Sequence, residues 1–173
     1  MNVLFLNPPD INKISESTVD EKAQEYIESD DFGAFPPLGI MYVMAYLEKH
    51  APHHKLYFKD CIAERYGHKD LSNYVAKIKP DIVAITSFTI SMIDVIIAAR
   101  NIRKIVPDAH LCLGGHHPIA FPFEAASLPE FNSIVVGEGE IVFAELVKAI
   151  EEKKSFTEIV GIYTKESIQK YRN

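Results

Sequence analysis

Cysteine is scarce in this chain of 173 residues, which carries only Cys61 and Cys112. The two are far apart and share no metal-ligand spacing. An iron–sulfur cluster held by cysteines alone needs about four of them, so these residues cannot hold one by themselves. Two separated cysteines are typically reduced and buried in proteins of a reducing compartment. We therefore expect a cytoplasmic protein.

Long apolar runs and an excess of basic residues are also missing. No run approaches the roughly 20 apolar residues of a membrane span, and the first residues lack the basic start and cleavage site of a secretory signal. The net charge is −6, whereas a nucleic-acid partner requires a clustered basic surface. We therefore expect no membrane span and no nucleic-acid partner.

The apolar residues, 47% of the chain, alternate between short runs and longer helical patterns. This alternation predicts an α/β domain of the flavodoxin-like (Rossmann-like) class, with a five-stranded parallel sheet, helices on both faces and a C-terminal hairpin. Ser91 and Asp94 are spaced as a capping pair at the start of one predicted helix. The predicted strands cover 3–6, 55–59, 81–86, 109–113 and 133–136, and the predicted helices cover 38–50, 69–79, 91–106, 122–127 and 141–153.

Two stretches do not follow this alternation. Residues 10–35 form a polar loop, and part of it, near residues 19–27, has the pattern of a short helix. Loops of that length inside a compact domain are usually functional or mobile. Residues 159–163 and 168–171 have the pattern of the two strands of the hairpin.

Every predicted strand ends in an unusual residue or motif. The carboxyl ends of parallel strands meet along one side of a sheet, and ligands of open α/β sheets bind there. Paired glycines allow another molecule to come close to the backbone. The sequence therefore predicts a ligand crevice, formed by Asn7–Pro9, Asp60, Thr86–Thr89, Gly114–Pro118 and Gly137–Glu140.

Several ligand classes can be tested against these motifs. A dinucleotide site needs G-x-G-x-x-G after the first strand, where this chain has Asn7-Pro8-Pro9-Asp10, and a P-loop is absent. A hydrolase with Ser87 as nucleophile and His116 or His117 as base is conceivable, although Ser87 lies outside a G-x-S-x-G elbow. A regulatory interaction domain on the same scaffold is a further alternative.

Taken in order, five motifs resemble those of the N-terminal cobalamin-binding domain of cobalamin-dependent radical S-adenosylmethionine enzymes. That group includes the anaerobic magnesium-protoporphyrin IX monomethyl ester cyclase and many radical methyltransferases. The family carries a serine after the third strand and two glycines after the fourth, and Ser87 and Gly114 are 27 residues apart. The motifs are Asn7-Pro8-Pro9, Phe35-Pro36-Pro37-Leu38-Gly39-Ile40, Thr86-Ser87-Phe88-Thr89, Gly114-Gly115-His116-His117-Pro118 and Gly137-Glu138-Gly139-Glu140.

The resemblance implies a role for each motif. Ser87 would hydrogen-bond to the nucleotide tail of the cobalamin, and Gly114 with Gly115 would leave room for that tail. The corrin ring would lie over the strand ends, partly on Phe35. The predicted cofactor-binding residues are Pro37, Leu38, Thr86, Ser87, Phe88, Thr89, Gly114, Gly115, His116, His117, Gly137, Glu138 and Gly139.

Two departures limit what the resemblance implies. The D-x-H-x-x-G motif, which supplies a cobalt ligand in another branch of the fold, is absent, so we expect base-off cobalamin and no metal ligand or catalytic residue from this chain. The C-x-x-x-C-x-x-C motif is absent too, which assigns the iron–sulfur cluster and S-adenosylmethionine to a missing radical domain. We expect residues 1–155 to form the cobalamin-binding α/β domain and 156–173 to connect it to that partner.

Overall fold

The fold is built on one sheet with the strand order β2-β1-β3-β4-β5-β6. The computed structural model describes residues 1–12 and 35–169. The first five strands run parallel, and β6 pairs antiparallel with β5. The strands are β1 (Asn2–Asn7), β2 (Lys55–Asp60), β3 (Ile82–Ser87), β4 (His110–Gly115), β5 (Ser133–Val135) and β6 (Ile162–Tyr163).

The central strands are covered on both faces, which explains their continuous apolar sequences. Val3, Leu4, Phe5 and Leu6 of β1 are all fully buried. A parallel strand buried on both faces needs apolar side chains in both directions, whereas a strand with one wet face would alternate. The five parallel strands predicted from these runs are confirmed.

Helices cover the two faces in pairs, and each pair completes its own hydrophobic core. Helices α2 and α3 pack on one face, and α1 and α6 pack on the other. No helix within residues 1–12 and 35–169 has the length and apolar character that crossing a bilayer requires. The helices are α1 (Leu38–His50), α2 (His68–Ile78), α3 (Met92–Ile105), α4 (His116–Ala120), α5 (Pro122–Ser127), α6 (Gly139–Glu151) and α7 (Lys165–Gln169).

The predicted C-terminal hairpin is wrong in its second half. Its first half contains β6, but Lys165–Gln169 forms the helix α7. Thr164 and Ser167 exchange hydrogen bonds between side chain and backbone, at 2.8 and 3.2 Å. Such a reciprocal pair is a helix-starting signal, and it outweighs the short apolar pattern. Residues 170–173 and the helix predicted near 19–27 lie outside the described residues.

Candidate functional site

A cleft of about 740 Å³ lies at the carboxyl end of the sheet. The strand order reverses direction between β1 and β3, the position at which open α/β sheets bind ligands. The cleft has the size of an ordinary small-molecule site. Eleven of the thirteen predicted binding residues line it: Pro37, Leu38, Thr86, Ser87, Phe88, Gly114, Gly115, His116, Gly137, Glu138 and Gly139.

The two adjacent glycines of β4 have different surroundings. A Cβ atom built on Gly114 would meet nothing within 4 Å, so its position opens into free space. A Cβ on Gly115 would lie 2.6 Å from both the backbone N and the backbone O of Ser87, and the φ angle of Gly115 is +93°. Gly115 therefore permits the close approach of β3 and β4, whereas Gly114 leaves the gap in the wall of the cleft.

Ser87 lies against that gap with its hydroxyl already engaged. Its Oγ donates a hydrogen bond to the carbonyl oxygen of Gly114 at 2.9 Å, and the residue is 1% exposed. Thr86 pairs with Gly114, and Ser87 pairs with Gly115, in the register of β3 and β4. A hydroxyl oxygen that donates one bond can still accept another, so Ser87 can offer a ligand an acceptor but has no free proton.

Large apolar side chains surround the mouth of the cleft. Phe35 is 76% exposed and Ile90 is 71% exposed, and both belong to the lining. Soluble proteins rarely leave a contiguous apolar patch uncovered, and such patches mark binding sites. The remaining exposed apolar lining residues are Leu38, Ile62, Phe88 and Ile119.

The two histidines that follow β4 point in different directions. His116 lines the cleft and stacks on Phe88, with 4.6 Å between ring centroids and 13° between planes. His117 is 2% exposed and its Nδ1 lies 3.3 Å from Oγ1 of Thr89. Burial lowers the pKa of His117, partly offset by Glu124. Thr89 and His117 thus pair with one another and are not among the residues that line the cleft.

The hydrolase alternative lacks the contact it would need. Nucleophile and base normally lie within hydrogen-bond reach of one another. Among the described residues, neither His116 nor His117 makes a hydrogen bond with Ser87, whose hydroxyl proton goes to Gly114. Burial also raises the pKa of the thiols of Cys61 and Cys112 to about 12, so neither is a ready nucleophile.

The far side of the cleft is formed where β5 leads into α6. Gly137 and Glu138 are exposed on this wall, and Gly139 is the first residue of α6. A Cβ on Gly139 would lie 2.9 Å from Cγ2 of Val43 in α1. The small residue therefore brings α6 against α1, and so sets the width of the cleft.

Asp94 is a residue whose role the sequence analysis missed. It was expected to cap α3, but its carboxylate is fully buried and accepts bonds from the backbone of Ile11 (2.9 Å) and of Asn12 (2.7 Å). His68 Nε2 lies 2.6 Å from its other oxygen. Burial disfavours the charge, but the hydrogen bonds from Asn12, His68 and Ile11 outweigh it and lower the pKa of Asp94. Asp94 thus holds the chain next to Asp10, which lines the cleft.

The fold and the cleft define the class of protein, a doubly wound α/β domain with a small-molecule site at the carboxyl end of its sheet. Within that class, residues 32–147 match the model of the B12 binding domain. The match covers more than half of the chain, and the chain belongs to the B12 binding domain family.

The relatives that this chain matches are larger proteins. An uncharacterized methyltransferase of Pyrococcus horikoshii is 32% identical over 133 residues, which are 76% of this chain and 28% of the relative. An anaerobic magnesium-protoporphyrin IX monomethyl ester cyclase of Cereibacter sphaeroides is 33% identical over 120 residues, 69% of this chain and 19% of the relative. The chain thus spans less than a third of the length of either relative.

Solved structures of radical enzymes share the fold. The radical S-adenosylmethionine methyltransferase TsrM of Kitasatospora setae has a TM-score of 0.71 at 20% identity, over 93% of this chain and 28% of TsrM. The cobalamin-dependent S-adenosylmethionine radical enzyme OxsB, solved with aqua-cobalamin and S-adenosylmethionine bound, has a TM-score of 0.68 at 16% identity, over 94% of this chain and 20% of OxsB. The Rossmann-like fold predicted from the sequence is confirmed.

Proposed function

We propose that this chain is the cobalamin-holding module of a radical S-adenosylmethionine enzyme, and that its cofactor lies in the cleft at the carboxyl end of the sheet. The single observation that carries this proposal is the open position at Gly114. A side-chain-free gap at the end of a central strand, next to a buried serine, is suited to the nucleotide arm of a corrinoid.

The chemistry of the lining fits the two parts of the cofactor. The deep part of the cleft offers backbone and a hydroxyl at Gly114 and Ser87, which suits a polar arm. The mouth offers exposed apolar surface, including Phe35 and Leu38, which suits a broad corrin face. Of the thirteen predicted binding residues, Thr89 and His117 would act indirectly, because they contact one another and do not line the cleft.

Bound cobalamin would supply a cobalt centre able to carry a methyl group or an electron. The role of this chain's residues is to bind and orient that group and to exclude water from it. We infer that no described residue replaces the tail base as a cobalt ligand from the position after β1, which reads Asn7-Pro8-Pro9. Because the arm would occupy the gap at Gly114, its base would be held away from the cobalt, and we propose base-off binding without a protein histidine.

The reaction belongs to a partner domain that this chain does not contain. We propose that residues 156–173 lead into a radical domain that carries an iron–sulfur cluster and S-adenosylmethionine, within a cytoplasmic enzyme. The relatives include methyltransferases and an anaerobic magnesium-protoporphyrin IX monomethyl ester cyclase, and either activity is compatible with this module. Finding a C-x-x-x-C-x-x-C motif in the reading frame after Asn173 would support the partner, and a stop codon there would contradict it.

Retention of the cofactor tests the binding proposal. The purified chain is mixed with hydroxocobalamin, desalted, and its visible spectrum recorded. We expect close to one corrinoid per chain with a base-off spectrum, and an electron paramagnetic resonance spectrum of the cobalt(II) form without splitting by an axial nitrogen. A colourless protein would overturn the proposal, and nitrogen splitting would overturn the base-off part alone.

Cobinamide provides a matched control because it keeps the corrin ring but lacks the benzimidazole arm. If the gap at Gly114 admits the arm, cobinamide should bind at least about tenfold more weakly than cobalamin. Equal affinity for cobalamin and cobinamide would be compatible with cobalamin binding, but it would contradict the proposal that the arm lies in this gap.

A further inference from the structure

Three side chains of types that can ligate a metal ion lie together at the amino end of the sheet, opposite the cleft. His53 and His54 immediately precede β2, and Glu151 is the last residue of α6. Helix α6 begins beside the cleft at Gly139 and runs back along the sheet, so its last residue, Glu151, meets the turn before β2. One ligand atom from each of the three residues lies within 4.8 Å of the others.

The separations between these atoms suit a shared metal ion. Nε2 of His53 lies 3.1 and 3.2 Å from the two carboxylate oxygens of Glu151. Nε2 of His54 lies 3.8 Å from Oε2 of the same carboxylate, which is too long for a hydrogen bond. Ligands held at 2.0–2.2 Å around a tetrahedral zinc ion are about 3.4 Å apart, and the observed distances lie on either side of that value.

The surroundings orient one ligand and leave room for another. The His54 side chain is 1% exposed, and its Nδ1 lies 3.3 Å from the amino group of Met1. Burial of the ring fixes the imidazole, with Nε2 facing the carboxylate of Glu151. The side chains of His53 and Glu151 are 60% and 38% exposed, so an ion can enter from solvent and keep a water molecule as its fourth ligand.

We propose that His53, His54 and Glu151 form a zinc-binding site, with one bound Zn²⁺ per chain and a water molecule in the fourth position. Two imidazoles and a carboxylate are a common zinc ligand set. The bound ion links the turn before β2 to the end of α6, two segments that are 97 residues apart in the chain at His54 and Glu151. This site is separate from the corrinoid cleft, and zinc binding does not depend on cofactor binding.

Zinc titration of the untagged, cobalamin-free chain tests the site. After treatment with a chelator and buffer exchange, isothermal titration calorimetry with ZnCl₂ should give one site per chain with a micromolar or lower dissociation constant. The variants H53A and E151Q should each bind zinc at least about tenfold more weakly, as expected when one ligand of a zinc site is lost. Zinc should raise the melting temperature of the wild-type chain and have little effect on either variant.

Two neighbouring residues provide matched controls. His50 is exposed near the end of α1 and Glu152 follows Glu151 directly, so H50A and E152Q should bind zinc like the wild type. Cobalt(II) in place of zinc should give the intense visible bands of a tetrahedral site. Weak, non-saturating binding, or equal zinc affinity in the wild type, H53A and E151Q, would overturn the proposal. Circular dichroism of each variant verifies its fold, because His53 and Glu151 are both solvent-accessible.

Discussion

The two ends of the same sheet differ in whether the loops satisfy their backbone hydrogen bonds or leave apolar surface exposed to solvent. At the amino end, Arg103 donates hydrogen bonds to the carbonyl oxygens of Pro107, Ala109 and Glu130 and to Oδ1 of Asn132. At the carboxyl end, Gly114 faces open space and Phe35 is largely exposed. The amino end is therefore closed by its own polar contacts, whereas the carboxyl end is left incomplete.

This difference separates the contacts that stabilise the loops around Arg103 from the open surface that is available to a corrinoid. A buried carbonyl without a partner costs free energy, so loops that need only to join strands are closed by side chains such as Arg103. A binding surface must stay exposed until its ligand binds, and the apolar side chains around the gap are exposed in this way. Substitutions in the loops around Arg103 should therefore change folding stability, and side chains that fill open space in the cleft should change corrinoid affinity.

The largest effect is expected from filling the gap at Gly114. The variant G114L should lose retention of hydroxocobalamin, by at least about a hundredfold in affinity, because the new side chain occupies free space in the wall of the cleft. Its melting temperature should stay near that of the wild type, since the added Cβ meets no atom within 4 Å. The control K69L adds a leucine at an exposed position of α2 and should retain the corrinoid.

The neighbouring glycine sharpens this test. G115A places a Cβ 2.6 Å from the backbone of Ser87, at a φ angle of +93°. It should therefore destabilise the fold by about 2–3 kcal/mol, measured by urea unfolding. A substitution at Gly115 that left stability unchanged and blocked only cobalamin would contradict the division of roles between the two glycines.

Removing Arg103 should have the largest effect on the closed end. R103M keeps much of the apolar stem but removes the donor of three carbonyl groups, whereas Oδ1 of Asn132 keeps its bond from the backbone N–H of Leu111. We expect a loss of about 3 kcal/mol in the free energy of unfolding, measured by urea denaturation, with unchanged cobalamin affinity in the folded protein. The matched variant K104M, at an exposed position one residue further on, should change neither quantity.

Asp94 should affect both stability and ligand affinity, because its buried carboxylate stabilises the fold and also holds a segment beside the cleft. D94N keeps the shape but turns an amide group toward the donors of Ile11, Asn12 and His68. The free energy of unfolding should fall by about 2 kcal/mol, and cobalamin affinity should also fall as residues 10–12 loosen. Chemical denaturation and corrinoid titration measure the two effects. If stability falls as expected but the affinity is unchanged, Asp94 has a role in stability alone.

The last prediction concerns pH at the amino end, where no effect is expected at neutral pH. Burial, helped by the charge of Arg103, lowers the pKa of His110 to about 4. The unfolded chain binds a proton there below a pH of about 6.5 and the folded chain does not, so this residue makes stability fall as the pH drops from about 6.5 to 4, by at most about 3 kcal/mol. H110Q should flatten that part of the stability curve, measured by urea unfolding against pH. H50Q, at an exposed histidine, should leave it as steep as in the wild type.

The fold could be predicted from the sequence because its signals are local. Apolar runs such as Ile82–Ile85 indicate strands buried on both faces. Pro36-Pro37 marks a helix start because proline fits the first turn, and α1 begins at Leu38 as predicted. The second half of the hairpin was mispredicted because a capping pair, Thr164 and Ser167, decides the conformation of a segment with little periodicity.

The sequence by itself determined the order of strands and helices and the motifs at the carboxyl ends of the strands, because periodicity and turn residues act over a few positions. Only the tertiary structure decided which of two adjacent glycines opens into the cleft, that His117 turns away to Thr89, and that Asp94 joins three distant segments. These outcomes depend on strand register and on contacts between residues far apart in the chain. Neither the register nor these distant contacts can be predicted from a residue type and its nearest neighbours in the sequence.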